Sequence, residues 1–227
     1  MNILVSAYRS SLGKKYIMAI SGFALFLFVI AHMAGNLQIF LGREAINAYA
    51  AFLKSKPGLL WSARAGLLVL VILHITAAIQ LVSENSEARP VKYAEGKPTA
   101  ASLASRTIFV SGLVIFAFVI YHLLQFTFGV TNPDYLTSKD PIDPLRHAVY
   151  GMMIDGFSNP WVSAFYIISM GFLCLHLSHG VSSAFQSLGI RSRSNARAIH
   201  RVARIAATVV FIGNCAIVIA VLSGWVK

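Results

Sequence analysis

Residues 16–41 read YIMAISGFALFLFVIAHMAGNLQIFL, without a single Asp, Glu, Lys or Arg. About 20 residues of α-helix cross a ~30 Å hydrocarbon layer at 1.5 Å per residue, so the run is long enough to span a membrane and a poor fit to a soluble core helix. It is too long, and its flanks too ordinary, for a cleaved signal peptide, because no small-residue cleavage site closes a short apolar segment. The run is therefore expected to stay in the mature protein. Four more segments are long and apolar: 60–83, whose one charged residue is Arg64 near its start, 107–130, 161–187 and 205–226. The expected fold is all-α, an integral membrane bundle of five transmembrane helices forming one domain over 1–227. A content of 57% apolar and 12% charged residues agrees with that class.

Lys and Arg are retained on the cytoplasmic side of a membrane. With the N-terminus inside, the inner segments hold Arg9, Lys14, Lys15, Arg89, Lys92, Lys97, Arg106, Arg191, Arg193, Arg197, Arg201 and Arg204. The outer segments hold Arg43, Lys54, Lys56, Arg64, Lys139, Arg146 and Lys227, among Glu44, Asp134, Asp140, Asp143 and Asp155. The excess predicts a cytoplasmic N-terminus and an outer C-terminus. The net charge of +11 sits at helix ends and in short loops, where topology and anionic membrane lipid account for it. No nucleic-acid partner is expected.

The loops differ in kind. The outer loop 42–59 mixes Tyr49 and Phe52 with polar residues and predicts a short interfacial helix. The inner loop 84–105 is polar, with Pro90, Gly96 and Pro98, and suits an exposed segment able to meet a soluble partner. The outer loop 131–160 carries Pro133, Pro141, Pro144 and Pro160, and reads equally as a cap over the bundle or as a solvated loop. Cys174 and Cys215 read as buried small residues, and the absence of Cys-x-x-Cys-His excludes covalent haem attachment.

An internal repeat stands out. Ser21-Gly22-x-x-x-Phe26-x-Phe28-Val29-Ile30-x-His32 recurs as Ser111-Gly112-x-x-x-Phe116-x-Phe118-Val119-Ile120-x-His122. Both copies run outward, so they imply a pseudo-two-fold axis along the membrane normal. Leu73-His74 and Leu175-His176 match weakly in the second and fourth spans.

Ionisable groups inside a span are costly and point to function. Four successive spans each carry a histidine: His32, His74, His122 and His176, with His179 one turn beyond the last. Counted from the span ends, His32 and His122 share a level in the outer half, and His74 and His176 share one in the inner half. The two levels are expected to differ by roughly 7 Å. That is too far for one metal and suits two flat macrocycles stacked along the membrane normal. A compact metal site brings its ligands to one point and usually includes Cys or carboxylate, yet these spans offer no Asp or Glu beside the histidines. Opposed imidazoles across an apolar slot suit two haem b groups, an outer one on His32 and His122 and an inner one on His74 and His176. With both axial positions filled by protein, such a haem transfers electrons and binds no substrate.

His176 matches the depth of His74 better than His179 does. His179 is left to a propionate, to proton passage or to polar packing. His200 reads as surface, and His147 as an outer-loop group within reach of the membrane edge near the outer haem. Gly22, Gly66, Gly112 and Gly171 precede the histidines and either admit a flat ring or serve ordinary helix packing. Arg64 and Arg106 are placed for the outer and inner propionates, and helix-end anchors that snorkel to the interface look the same.

One histidine on each of the first four of five spans, Ser11-x-Gly13-Lys14-Lys15, His32-Met33-x-Gly35-Asn36-Leu37 and His176-x-x-His179-Gly180 together resemble the single-chain dihaem cytochrome b subunit of succinate dehydrogenases and fumarate reductases. The resemblance covers nearly the whole chain. It implies a multi-pass subunit of the cell inner (cytoplasmic) membrane. It also implies docking of a flavoprotein subunit and an iron–sulfur subunit on the cytoplasmic face through the N-terminal segment and inner loops. Electrons would pass between the clusters and a membrane quinone, commonly menaquinone, with no dicarboxylate chemistry on this chain. Asn36, Gln38 and His147 are the polar groups expected near a quinone at the outer haem, and each also reads as an ordinary loop or helix-end residue. Some fumarate reductases of this type carry a glutamate two residues before the fourth ligand. Cys174 stands there in this chain, which argues against that proton route and tilts the expected direction toward succinate oxidation. Two other readings compete: the cytochrome b anchor of a hydrogenase, formate dehydrogenase or heterodisulfide reductase, and a transporter with a histidine proton relay.

Overall fold

The computed structural model describes residues 10–88 and 103–227. Among them the structure is helical, and the β feature is an isolated bridge between Lys139 and His147. Five helices are long and apolar enough to cross a membrane: Ser11–Asn36, Pro57–Glu87, Ile108–Phe126, Pro160–Ser187 and Ala196–Leu222. We number them first to fifth. The end that holds Ser11 and Ser187 is called inner, and the opposite end outer.

Hydropathy finds the apolar stretch of each helix, whereas hydrogen bonding sets its ends. The first helix starts where Ser10 Oγ accepts from Gly13 N at 3.0 Å, and its outer end passes into a 3-10 turn over Leu37–Leu41. The second continues through its polar inner end to Glu87, beyond the expected 83. The third stops at Phe126, short of the expected 130. There Val130 N turns back to Leu124 O at 2.8 Å while Gly129 takes a φ of +61°, a left-handed cap that apolarity does not reveal. The fourth opens with Asn159 Oδ1 accepting from Trp161 N at 2.9 Å, with Pro160 in its first turn. The fifth begins at Ala196 rather than at 205, because arginine is a good helix former and the basic stretch continues the helix.

The first helix packs on the second, fourth and fifth, and the third packs on the fourth. Ala203 and Ala207 let the fifth helix lie close to Phe26, Met33, Leu177 and Val181. Leu68 and Ile72 on the second helix, and Leu113 and Phe116 on the third, remain exposed, as contact with hydrocarbon requires. At the inner end Lys14 pairs with Glu84, which also accepts from Ser11 Oγ at 3.3 Å, tying the first two helices together. Arg9 and the loop positions Arg89, Pro90, Lys92, Gly96, Lys97 and Pro98 lie outside the described residues.

The outer loops form a cap. The expected interfacial helix is Arg43–Lys54, and the long loop contributes Asp134–Thr137 and Val149–Ser158, burying Tyr135, Tyr150, Met153 and Phe157. A buried polar staple holds the two loops together. Asn47 Nδ2 donates to Asp140 Oδ2 at 3.0 Å, and Tyr150 N donates to Asn47 Oδ1 at 2.9 Å. The Asn47 amide and the Ile142 N–H hold the Asp140 carboxyl below the usual carboxylate range.

Candidate functional site

Helices that are not sequence neighbours bring the histidines together in two pairs. His32 and His122 have ring centres 5.8 Å apart with planes crossed at 86°, and His74 and His176 have centres 6.3 Å apart with planes at 66°. His32 is exposed and the other three rings are half-buried, so both pairs stand in a cleft between helices rather than in sealed core.

The neighbours of each ring fix where its proton sits. His74 Nδ1 lies 3.2 Å from the carbonyl of Met18, which can only accept, so Nδ1 carries the hydrogen. Ser21 Oγ, 3.3 Å away, has already given its own proton to Ile17 O and receives the same N–H. At His176 the pattern recurs in register. Ser111 Oγ donates to Ile108 O at 2.9 Å and stands 3.2 Å from Nδ1, and the Ile108 carbonyl is itself a partner of the ring. At His122, Nδ1 faces Tyr166 Oη at 3.2 Å, and Tyr166 donates onward to Gln125 Oε1 at 2.8 Å. At His32, Asn36 Nδ2 stands 3.2 Å from Nε2 and can only donate. All four rings are thus set with an unprotonated Nε2, the form in which a neutral imidazole binds a metal. In His32 that lone pair is shared with Asn36, which must yield to a metal.

The donor set discriminates among metals. A centre held by an imidazole on each side needs ring centres about 6 Å apart, from two bonds of ~2 Å and two ring half-widths of about 1 Å. Both observed spacings meet that requirement. Among the described residues no group of three or more His, Cys, Asp or Glu could hold a metal ion. A bare zinc or iron ion would lack ligands here, whereas iron that arrives with four in-plane nitrogens needs two. The residues present therefore fit a bis-histidine porphyrin.

The spacing between levels corrects the sequence expectation. His74 packs beside Ser21, and His32 lies eleven positions farther along the same helix, so the levels differ by ~16 Å at 1.5 Å per residue. The third helix repeats the measure from Ser111, which meets His176, to His122. The expected ~7 Å is the offset of a single level from the middle of a ~30 Å layer; the two levels lie on opposite sides of that middle, so their offsets add to about 15 Å.

Gly22 and Gly112 turn out to face the histidine of another helix, with ideal Cβ positions 2.8 Å from His74 Cε1 and 3.6 Å from His176 Cε1. Gly66 and Gly171 look onto open space. His179 meets Ser183 Oγ at 3.1 Å, one turn inward, apart from the His74 pair. Arg64 is exposed, its guanidinium 5.0 Å from the centre of the Trp61 ring, and Arg106 is exposed at the end of the short helix Leu103–Arg106. Of the three polar residues expected near a quinone, Asn36 reaches the outer pair. Gln38 sits half-buried on the 3-10 turn, and His147 lies in the cap, where burial and the nearby Lys54 push its pKa down. Ser21, Ser111, Tyr166 and Gln125 were missed by sequence reasoning. The repeated Ser-Gly was the available signal for the first two.

No family model, no curated protein and no solved structure matches this chain.

Proposed function

We propose that this chain is the dihaem cytochrome b membrane subunit of a succinate:quinone oxidoreductase. In this reading His32 and His122 hold an outer haem b, and His74 and His176 hold an inner one. The observation that carries the haem assignment is the two imidazole couples, with ring centres 5.8 and 6.3 Å apart, an unprotonated Nε2 on each ring and no group of three or more His, Cys, Asp or Glu that could hold a metal ion among the described residues. The succinate assignment rests on the motifs around Ser11, His32 and His176. The chain anchors a flavoprotein and an iron–sulfur subunit at its inner face and serves a membrane quinone, menaquinone by the resemblance, in the cytoplasmic membrane.

A haem held by each histidine pair would supply one-electron transfer. The chain's own residues do the rest. Ser21 with Met18, and Ser111 with Ile108, orient the inner imidazoles and keep the proton on Nδ1. Tyr166 does the same for His122. The cap covers the outer end of the bundle. Arg64, on leaving the Trp61 ring, and Arg106 serve as propionate partners, and His179 adds a polar group one turn below the inner pair.

The deciding experiment is purification of the native complex from membranes, with a reduced-minus-oxidised spectrum, a pyridine haemochrome count and identification of the co-purifying chains. Two haems b per chain, a flavoprotein, an iron–sulfur protein and succinate-dependent quinone reduction are expected. A nickel or molybdenum enzyme in their place assigns the chain to another quinone-linked complex. A colourless protein overturns the haem assignment and favours the histidine relay.

A further inference from the structure

The two levels differ in what receives the Nδ1 proton. At the inner level both acceptors are serine hydroxyls backed by main-chain carbonyls, in the same register on two helices. At the outer level His122 meets a phenol, Tyr166, whose own proton is committed to Gln125. Tyr166 is 5% exposed and Gln125 3%. Phe157 and Phe118 pack edge-on against the phenol ring, with centres 4.9 and 5.0 Å away, and hold it in place. The Gln125 amide is confined as well, since a Cβ on Gly156 would lie 3.0 Å from its Nε2.

Filling space does not require this arrangement, since Phe and Leu would occupy the same volume without burying polar groups. A fully satisfied polar pair in a low-dielectric interior has electrostatic reach instead. We infer that Tyr166 and Gln125 are a positioning pair that sets the electron affinity of the outer centre separately from that of the inner one. The inference rests on the haem reading proposed above. A hydrogen bond from Nδ1 raises the basicity of Nε2, and a more basic axial ligand favours oxidised iron. By taking the phenol proton, Gln125 makes the phenolic oxygen a better acceptor. Tyr166 acts through His122.

The test is a stepwise redox titration of the whole membrane complex, followed by haem absorbance, with Tyr166→Phe. Both haems should be retained. One of the two waves should move to higher potential while the other stays, and the wave that moves should be the one missing from His122→Ala. Gln125→Leu keeps the phenol and should move the same wave in the same direction by less. It decides alone if Tyr166→Phe fails to assemble. Unmoved waves, or equal movement of both, overturn the inference and leave the haem reading standing. A wild-type complex without haem sinks the reading itself.

Discussion

Gly22 and His74 share a space that holds either a methyl group or an imidazole: a Cβ on Gly22 would stand 2.8 Å from His74 Cε1. At the equivalent position in the repeat, a Cβ on Gly112 would stand 3.6 Å from His176 Cε1, an ordinary contact. Alanine favours helix over glycine by about 1 kcal/mol, so neither substitution should harm the helix itself. Gly22→Ala is expected to push His74 aside and lose most of the inner haem, whereas Gly112→Ala keeps both. A haemochrome count on the two purified variants checks the contrast, and equal haem content in both would refute it.

Alanine at His74 or at His176 should remove one haem, and alanine at His32 or at His122 the other. The ring spacings of 6.3 and 5.8 Å dictate that grouping. The α-band of the reduced protein should fall to about half in each variant, with the same component missing within a pair and different components between pairs. Loss of one common component in all four would break the pairing.

The cap depends on Asn47, which is fully buried and bonds both Asp140 and the Tyr150 amide. Asn47→Leu leaves a buried N–H without its acceptor, at a cost of about 1–3 kcal/mol. Faster proteolysis within 131–148, with both haems retained, is the expected outcome. Unchanged cleavage would mean that other contacts hold the cap.

Acid should loosen the cap in two stages. His147 has its pKa lowered by burial and then by Lys54, so its neutral form belongs to the folded cap. Its contribution is full above the ordinary histidine value of about 6.5 and is lost as pH falls from there toward the depressed native value. Asp140 is also depressed, by Asn47 first, so its contribution is full above about pH 4 and disappears as pH falls through the native value. Amide exchange at Tyr150 against pH reports both. His147→Gln should flatten the upper stage, and a curve unchanged by that variant would remove His147 from the account.

Much of this architecture is legible in the chain. Long apolar runs mark five helices, and one histidine on each of four spans at matched counts from the ends leads to the pairing of His32 with His122 and of His74 with His176. Distance along the normal is legible too, once the two offsets are added. His32 lies past the middle of the layer counted from the inner end and His74 past it counted from the outer end, and about 7 Å on each side makes about 15 Å. Tyr166 does not announce itself, because an aromatic residue in an apolar run looks like packing until a histidine from another helix arrives beside it. Ser21 and Ser111 lie between these cases. Their recurrence eleven positions before a histidine is visible, yet each serves the histidine of a different helix.

Ser21 and His32 ride on a single rigid rod, as do Ser111 and His122. A small rotation of the first helix about its long axis therefore swings a ring at one depth and a hydroxyl at another by the same angle. The lower end of that rod is clamped where Lys14 meets Glu84. The two storeys of the interior thus share one moving part and one anchor.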